Sequence, residues 1–195
     1  MRSARNRMNR RRSCTILAVM AKRATEGGVA EGRRSSAVAG GFAIRRARPE
    51  EARRLSELAL RSKAVWGYAP SFMARCCAAM RLMPAMLRAN EYYVAVERGE
   101  PLGFYGFEPE PEGLGLDMFF VEPDAIGRGV GRALWNHAVA RARELGASEL
   151  VAVSDPNAAG FYLRMGCRPA GACPSEVEPG RNLPVLRFAL SGPPA

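Results

Sequence analysis

Three glycines between a strand-like segment and a helical segment constrain this chain more than any other feature of its sequence. They are Gly127, Gly129 and Gly131. The apolar run before them ends at Val121, and residues 131–145 after them carry apolar side chains at helical spacing. Glycine lets the backbone turn its N–H groups toward a ligand at close range, and a helix start adds unpaired N–H donors and partial positive charge. The segment therefore predicts a pyrophosphate-binding turn.

Two other interpretations of this turn fit less well. A tight strand-to-helix turn needs fewer glycines than three at alternate positions. A dinucleotide-binding turn also uses GxGxxG, but it normally closes the first strand of a long βαβ series. Here the turn follows three short strand-like runs, and too little chain remains for the other half of such a fold. The order of elements therefore argues against a dinucleotide fold.

The rest of the pattern predicts one α/β domain with mixed α+β character at residues 41–191. The predicted elements are a strand at 42–47, helices at 49–62 and after Pro70, strands at 91–97, 102–108 and 114–121, a helix at 131–145, a strand at 149–153, a short helix at 157–165 and a strand at 183–190. Short links between the three middle strands predict an antiparallel meander. The helix after Pro70 is predicted to turn inward Phe72, Met73, Cys76, Cys77 and Met80.

The positive charge is concentrated in the first forty residues. The chain has a net charge of +10, of which residues 1–40 carry +8 and the other 155 residues +2. A DNA-binding face would need the surplus inside the fold, so nucleic-acid binding by the domain is not favoured. We interpret residues 1–40 as a disordered basic extension and residues 192–195 as a tail. A signal peptide built on the apolar stretch 14–21, a transit peptide and an early start codon remain alternatives.

Cysteine usage and hydropathy narrow the class of protein further. The five cysteines form no CxxC pair, and the chain has one histidine, so no metal site is predicted. This pattern is typical of reduced thiols in a cytoplasmic protein. No apolar run approaches the roughly 20 residues of a membrane-spanning helix, so no membrane partner is expected.

With the turn and the element order in place, residues 41–190 resemble the GNAT superfamily of N-acetyltransferases. Its acetyl-CoA signature, Arg/Gln-x-x-Gly-x-Gly/Ala, falls on residues 126–131, where Gly129 and Gly131 match and Ile126 departs from it. Arg128 could supply the phosphate contact that Ile126 lacks. The resemblance implies a mixed, mostly antiparallel sheet flanked by helices, with a splay between its fourth and fifth strands. It also implies acetyl-CoA as cosubstrate, bound by Phe119, Phe120, Val121, Gly127, Arg128, Gly129, Val130, Gly131, Arg132, Asp155 and Asn157.

A second family signature, Asn-x-x-Ala-x-x-x-Tyr-x-x-x-Gly-Phe, falls on residues 155–167. Ala158, Tyr162 and Gly166 match it. Asp155 stands at the usual Asn position and Asn157 two residues later, so either could take the polar role near the pantetheine. The resemblance implies that Tyr162 protonates the departing thiolate. A tyrosine at the edge of the core, with its hydroxyl already bonded, is the alternative.

By resemblance, an acceptor amine attacks the thioester directly within a ternary complex. A lysine-type ammonium has a pKa of about 10.4 and must first lose a proton to a base, a water chain or a desolvated pocket. Asp117 is the preferred base, with Glu97 and Glu108 as alternatives. The backbone N–H of Val121 or Phe120 is the expected oxyanion donor. His137 is expected to be a surface residue.

The acceptor is predicted only as a class, a small-molecule or peptide amine. In the family, the first two helices and the loop before the last strand line its cleft, which corresponds here to residues 63–68 and 174–181. Trp66 and Tyr68 suit an amine or an apolar acceptor body, although packing over the core explains them equally well. A non-catalytic acyl-CoA-binding module and a different acyl donor remain alternatives. A homodimer is compatible with the sequence.

Overall fold

The structure, a computed structural model, describes residues 36–38, 41–110 and 113–190. Within these residues eight strands form one sheet in the order β1-β2-β3-β4-β5-β6-β8-β7. Their bounds are β1 Ser36–Val38, β2 Phe42–Arg46, β3 Tyr92–Glu97, β4 Glu100–Glu110, β5 Gly113–Val121, β6 Glu149–Val153, β7 Arg168–Pro174 and β8 Asn182–Ala189. Neighbouring strands are antiparallel except β5 and β6, which are parallel.

The helices cover both faces of this sheet. They are α1 Ala52–Ala64, α2 Pro70–Ala79, α3 Pro84–Ala89, α4 Val130–Glu144 and α5 Ala159–Arg164. Helices α2 and α3 each begin with proline. Its fixed φ suits the first helical turn, and the N–H that it lacks would make no hydrogen bond within the helix at that position.

Two apolar cores lie on opposite faces of the sheet. Side chains alternate along β4, so that Phe104 packs with the buried residues of α1 and α2 while Tyr105 packs with those of α4. Leu55 and Leu134 are fully buried, one in each core. The helices are thus fixed to the sheet from both sides, and the strand ends between them are held in place.

The parallel pair β5 and β6 separates partway along its length. Leu114 to Leu116 pair with Leu150 to Ala152, and β5 then continues to Val121 without β6 beside it. On the other edge, consecutive residues of β4 pair with Leu116 and Met118, so Asp117 is the extra residue of a β-bulge. This confirms the predicted mixed sheet and the splay, since β5 and β6 are the fourth and fifth of the predicted strands.

Some elements differ from the sequence prediction. Two strands, β1 and β7, were not predicted, and β1 lies upstream of residue 41, within the predicted extension. The rest of that extension (residues 1–35 and 39–40) and the predicted tail lie outside the described residues. Cys77 is exposed, so its predicted inward position is wrong, whereas Phe72, Cys76 and Met80 are buried. No helix in the described part of the chain is long and apolar enough to cross a membrane.

Candidate active site

A cleft of about 700 Å³ runs through the splay between β5 and β6. Residues 116–121 of β5 line its middle. At one end lie the glycine turn and α5, and at the other lie the end of α1, part of α2 and the loop between β7 and β8. The two segments predicted to bind coenzyme and acceptor therefore meet along one continuous cleft.

The glycine turn presents bare backbone to this cleft. Gly127 and Gly129 have φ values of 85° and 84°, and no heavy atom outside the glycine and its two chain neighbours lies within 4 Å of the position that a Cβ would take at either residue. Any other residue would be strained at these φ values. The first bond of α4 runs from the Ala133 N–H to the Gly129 carbonyl at 3.0 Å. The N–H groups of residues 130–132 precede that bond, so they are the unpaired donors of a helix start, and they fit a diphosphate.

The two arginines of the turn have different environments. The Arg128 guanidinium donates to both Glu97 oxygens, at 2.8 and 3.0 Å, and does not line the cleft. Arg132 is exposed and lines the cleft. The Val130 side chain is fully buried, so only its main chain could contact a ligand. Arg132 therefore lines the cleft beside the glycines, whereas the Arg128 side chain does not.

The register of β5 determines which of its main-chain groups face the gap. The Glu122 N–H donates to the Leu102 carbonyl of β4 at 2.8 Å, and Phe120 lies opposite Phe104. Because main-chain groups alternate in direction along a strand, those of Val121 point away from β4, into the space that β6 has left. Of the two expected oxyanion donors, Val121 therefore faces the cleft and Phe120 faces β4.

Tyr162 lies in an aromatic cluster at the wall of the cleft. Its ring contacts those of Phe119, Trp135 and Phe161 at centroid distances of 5.2–6.0 Å, and the residue is 6% exposed. Its hydroxyl has no hydrogen-bond partner among the described residues. Every fully buried polar side-chain atom in those residues does have a partner, so this hydroxyl is not fully buried, and Tyr162 lines the cleft. The hydroxyl is therefore open to the cleft. Burial raises the pKa of Tyr162, which keeps the proton on its oxygen.

Asp117, at the bulge of β5, also lines the cleft. Its carboxylate accepts a hydrogen bond from the Tyr92 hydroxyl. Burial raises the pKa of Asp117, and the Tyr92 bond opposes that rise. Glu108, which does not line the cleft, has its pKa raised to about 7 by burial and by the nearby carboxylates of Asp117, Glu110 and Glu176. This side of the cleft is therefore acidic, with proton affinities shifted toward neutral pH.

Two other candidates for proton transfer are placed elsewhere. Glu97 is ion-paired to Arg128 and does not line the cleft. His137 is half-buried, with its ring 4.7 Å from that of Tyr93 and its Nδ1 2.7 Å from the Tyr105 hydroxyl. The expectation of a surface histidine is therefore wrong, because α4 turns this residue toward the sheet.

Asp155 is the centre of a network that sequence reasoning missed. Its carboxylate lies 2.7 Å from the Lys63 ammonium, 2.8 Å from the Tyr68 hydroxyl and 3.1 Å from the Arg181 guanidinium. It also accepts from the Asn157 N–H at 2.9 Å. Burial pushes its pKa upward, but the bonds from Lys63, Asn157 and Tyr68 outweigh this and lower the pKa. Asp155 is therefore an ionised anchor in the cleft wall.

The segments of this network were predicted, but their pairing was not. Residues 63–68 and 174–181 were expected to line the acceptor end, and members of both segments line the cleft. Lys63, Asp155 and Arg181 are far apart in the sequence, and no local pattern relates them. Trp66 lines the same end of the cleft with 44% of its surface exposed, so it is not part of the core.

Comparison with known proteins identifies the family. The Acetyltransferase (GNAT) family matches residues 44–167, which is more than half of the chain. Peptidyl-lysine N-acetyltransferase YjaB of Escherichia coli K12 is 36% identical over 113 residues, covering 57% of this chain and 71% of that protein. Its Salmonella typhimurium counterpart is 35% identical over 98 residues, covering 49% of this chain and 62% of that protein.

Solved structures show the same fold. A GCN5-related N-acetyltransferase from Rhodopseudomonas palustris has a TM-score of 0.64 at 23% identity, covering 82% of this chain and all of that one. A GNAT family acetyltransferase from Brucella melitensis, solved with acetyl-CoA, has a TM-score of 0.57 at 23% identity, covering 78% and 90%. These matches agree with the enzyme class predicted from the sequence, an N-acetyltransferase. The chain belongs to the GNAT acetyltransferase family.

Proposed function

We propose that this protein transfers an acetyl group from acetyl-CoA to a primary amine, by direct attack within a ternary complex. One observation carries the proposal: a single cleft connects the bare backbone at residues 127–132 with the gap beside Val121 and with the hydroxyl of Tyr162. Because these groups share one cleft, a bound thioester and an amine could meet there.

The coenzyme end is supplied mainly by backbone. The N–H groups of residues 130–132 would bind the diphosphate, with the Arg132 guanidinium adding charge from the side. Acetyl-CoA would supply an acetyl thioester to this cleft. The Brucella structure, and that of yncA from Salmonella typhimurium, are described with acetyl-CoA, which supports this choice of donor.

Three groups of the chain would act on the reaction itself. The Val121 N–H, which faces the gap, would donate to the acetyl oxygen as negative charge develops on it. Tyr162 would give its proton to the sulfur that leaves, since its hydroxyl is protonated and open to the cleft. Asp117 would accept the proton of the acceptor ammonium, directly or through water.

An assay with acetyl-CoA and a panel of amines tests this proposal. The Escherichia coli relative is named for peptidyl-lysine, so lysine-containing peptides belong in the panel beside polyamines and amino acids. We expect release of free coenzyme thiol that depends on both substrates. Saturable coenzyme binding without turnover of any amine would instead favour a non-catalytic binding module.

A further inference from the structure

The acceptor end of the cleft has an unbalanced charge. Lys63 and Arg181 share a single carboxylate, that of Asp155. The three side chains are 12%, 15% and 10% exposed. Two cations and one anion leave an excess of about one positive charge in a nearly buried position, which is unfavourable unless another anion completes it.

The Arg181 guanidinium has donors to spare. Its hydrogen bonds within the described residues run through Nη2 alone, to the Tyr68 hydroxyl at 2.6 Å and to Asp155 at 3.1 Å. Every fully buried polar side-chain atom in that part of the chain has a hydrogen-bond partner, so Nε and Nη1, which have none, keep some solvent exposure. Arg181 itself lines the cleft. Nε–H and Nη1–H point toward different edges of the guanidinium, and either could donate a charge-assisted hydrogen bond to a carboxylate.

The rest of this wall holds the guanidinium in place. Arg181 lies over the rings of Tyr68 and Phe72, each at 4.7 Å from the centroid. The Lys63 ammonium lies 5.4 Å from the first ring and 5.6 Å from the second. Flat aromatic faces fix the cations without neutralising them. The donors are therefore preorganised for a ligand.

Other residues that line the cleft carry the opposite charge. Asp117 and Glu176 line the cleft, and Glu108 is within electrostatic reach of both. An amine would be attracted to this acidic side, whereas an anion would be attracted to Lys63 and Arg181. The cleft is thus bipolar, and it suits a molecule that carries both charges.

We propose that the acceptor carries a carboxylate besides its amine, and that Arg181, supported by Lys63, binds that carboxylate. This inference rests on the acetyltransferase function proposed above. It restricts the acceptor to amino acids, to peptides that present a carboxylate near the reacting amine, and to similar zwitterions. Arg181 is then a specificity-determining residue.

Matched acceptors test this proposal. Nα-acetyl-lysine and Nα-acetyl-lysinamide share the same ε-amine and differ in the carboxylate, as do dialanine and dialanine amide at the α-amine. In at least one pair we expect the carboxylate form to have a kcat/KM at least about tenfold higher, mainly through KM, because a hydrogen-bonded charge pair contributes that much. Titration of the same pairs into coenzyme-saturated protein should show the same preference in binding.

The variant Arg181→Gln should remove this preference. The remaining Lys63 and Asp155 pair is balanced in charge, so we expect the variant to fold. The kcat/KM of the carboxylate form should fall to about the level of its amide in the same variant, so that the ratio of the two approaches one, and Arg181→Lys should restore part of the difference. Arg187→Gln is the control, since Arg187 lies on the same hairpin, pairs with Glu149 and does not line the cleft.

The alternative outcomes are distinct. Equal kcat/KM and equal binding within both pairs would overturn the proposal, as would an Arg181→Gln variant that loses both members of a pair equally. A variant that binds coenzyme A more weakly would assign the cluster to a coenzyme phosphate instead. If coenzyme binds but no amine of any kind is acetylated, the proposed function fails, and a carboxylate preference in the titrations would still support the subsite.

Discussion

The two ends of the cleft are built in different ways. The end proposed to bind coenzyme consists of consecutive residues, 127–132, whose glycines line the cleft while the Arg128 side chain turns away to Glu97. The end proposed to bind the acceptor consists of side chains, with Lys63, Tyr68 and Arg181 gathered around Asp155 from segments far apart in the chain. Backbone geometry should therefore govern the first end, and side-chain chemistry should govern the second.

Between the two ends, Tyr162 should give the largest effect of a single substitution. Tyr162→Phe keeps the ring among Phe119, Trp135 and Phe161 but removes the proton that would go to the leaving sulfur. We expect kcat to fall about 100-fold with little change in the KM for acetyl-CoA. Steady-state kinetics measures this, with Tyr93→Phe as the control, since Tyr93 does not line the cleft. An unchanged kcat would remove Tyr162 from the reaction.

A backbone change at the coenzyme end should come next. Gly129→Ala places a side chain at a φ of 84°, where strain of about 1–2 kcal/mol would shift the turn. We expect the KM for acetyl-CoA to rise about tenfold and Tm to fall. Gly146→Ala is a matched control, because Gly146 has a φ of 74°, equally open space and no place in the cleft. Equal KM values in the two variants would show that the turn does not hold the coenzyme.

The raised pKa of Glu108, near the acidic side of the cleft, should make the stability of the protein depend on pH. The pKa of Glu108 is raised to about 7 in the folded protein, above its ordinary value of 4.5. The folded state then favours the protonated carboxyl, so the free energy of unfolding should fall as pH rises from about 4.5 to 7. We expect a fall of about 1 kcal/mol, because solvent partly screens this group.

The Glu108→Gln variant should lose this pH dependence, and its free energy of unfolding at pH 8 should be higher than that of the wild type by about the same amount. Denaturant unfolding at several pH values measures it, and Glu50→Gln serves as an exposed control. Parallel stability curves for wild type and Glu108→Gln would contradict the raised pKa.

The smallest predicted effect, that of Arg128→Gln, distinguishes most clearly between coenzyme binding by the main chain and by side chains. Arg128→Gln removes a guanidinium from the coenzyme turn itself, yet this group is held by Glu97. We expect the KM for acetyl-CoA to change less than about twofold, because an exposed ion pair contributes little and the main-chain donors stay in place. Arg132→Gln should raise that KM more. The reverse order would mean that Arg128 leaves Glu97 when coenzyme binds.

The glycine turn could be predicted from the sequence because the features that define it lie within a few consecutive residues. Three alternate glycines before an amphipathic helix specify both the left-handed φ values and the free N–H groups. The same locality explains the successful prediction of the meander and of α4, whose patterns each lie within one short segment.

The side-chain pairing around Asp155 and two edge strands could not be predicted in this way. The ion pairs of Lys63 and Arg181 with Asp155 depend on how distant segments pack, which no periodicity records. Strand β7 contains Pro169, Gly171 and Pro174 and is mostly exposed, so it lacks the alternation of a half-buried strand. His137 was misplaced for a related reason, because its two ring neighbours come from β3 and β4.

The most direct test of the backbone site is a titration of isotope-labelled protein with coenzyme A, followed by the main-chain amide signals. We expect large, saturable shifts at residues 127–132 and small ones at Lys63, Tyr68 and Arg181, together with a higher Tm. Saturation of the protein with coenzyme that leaves the signals of residues 127–132 unmoved would contradict a diphosphate site on this turn.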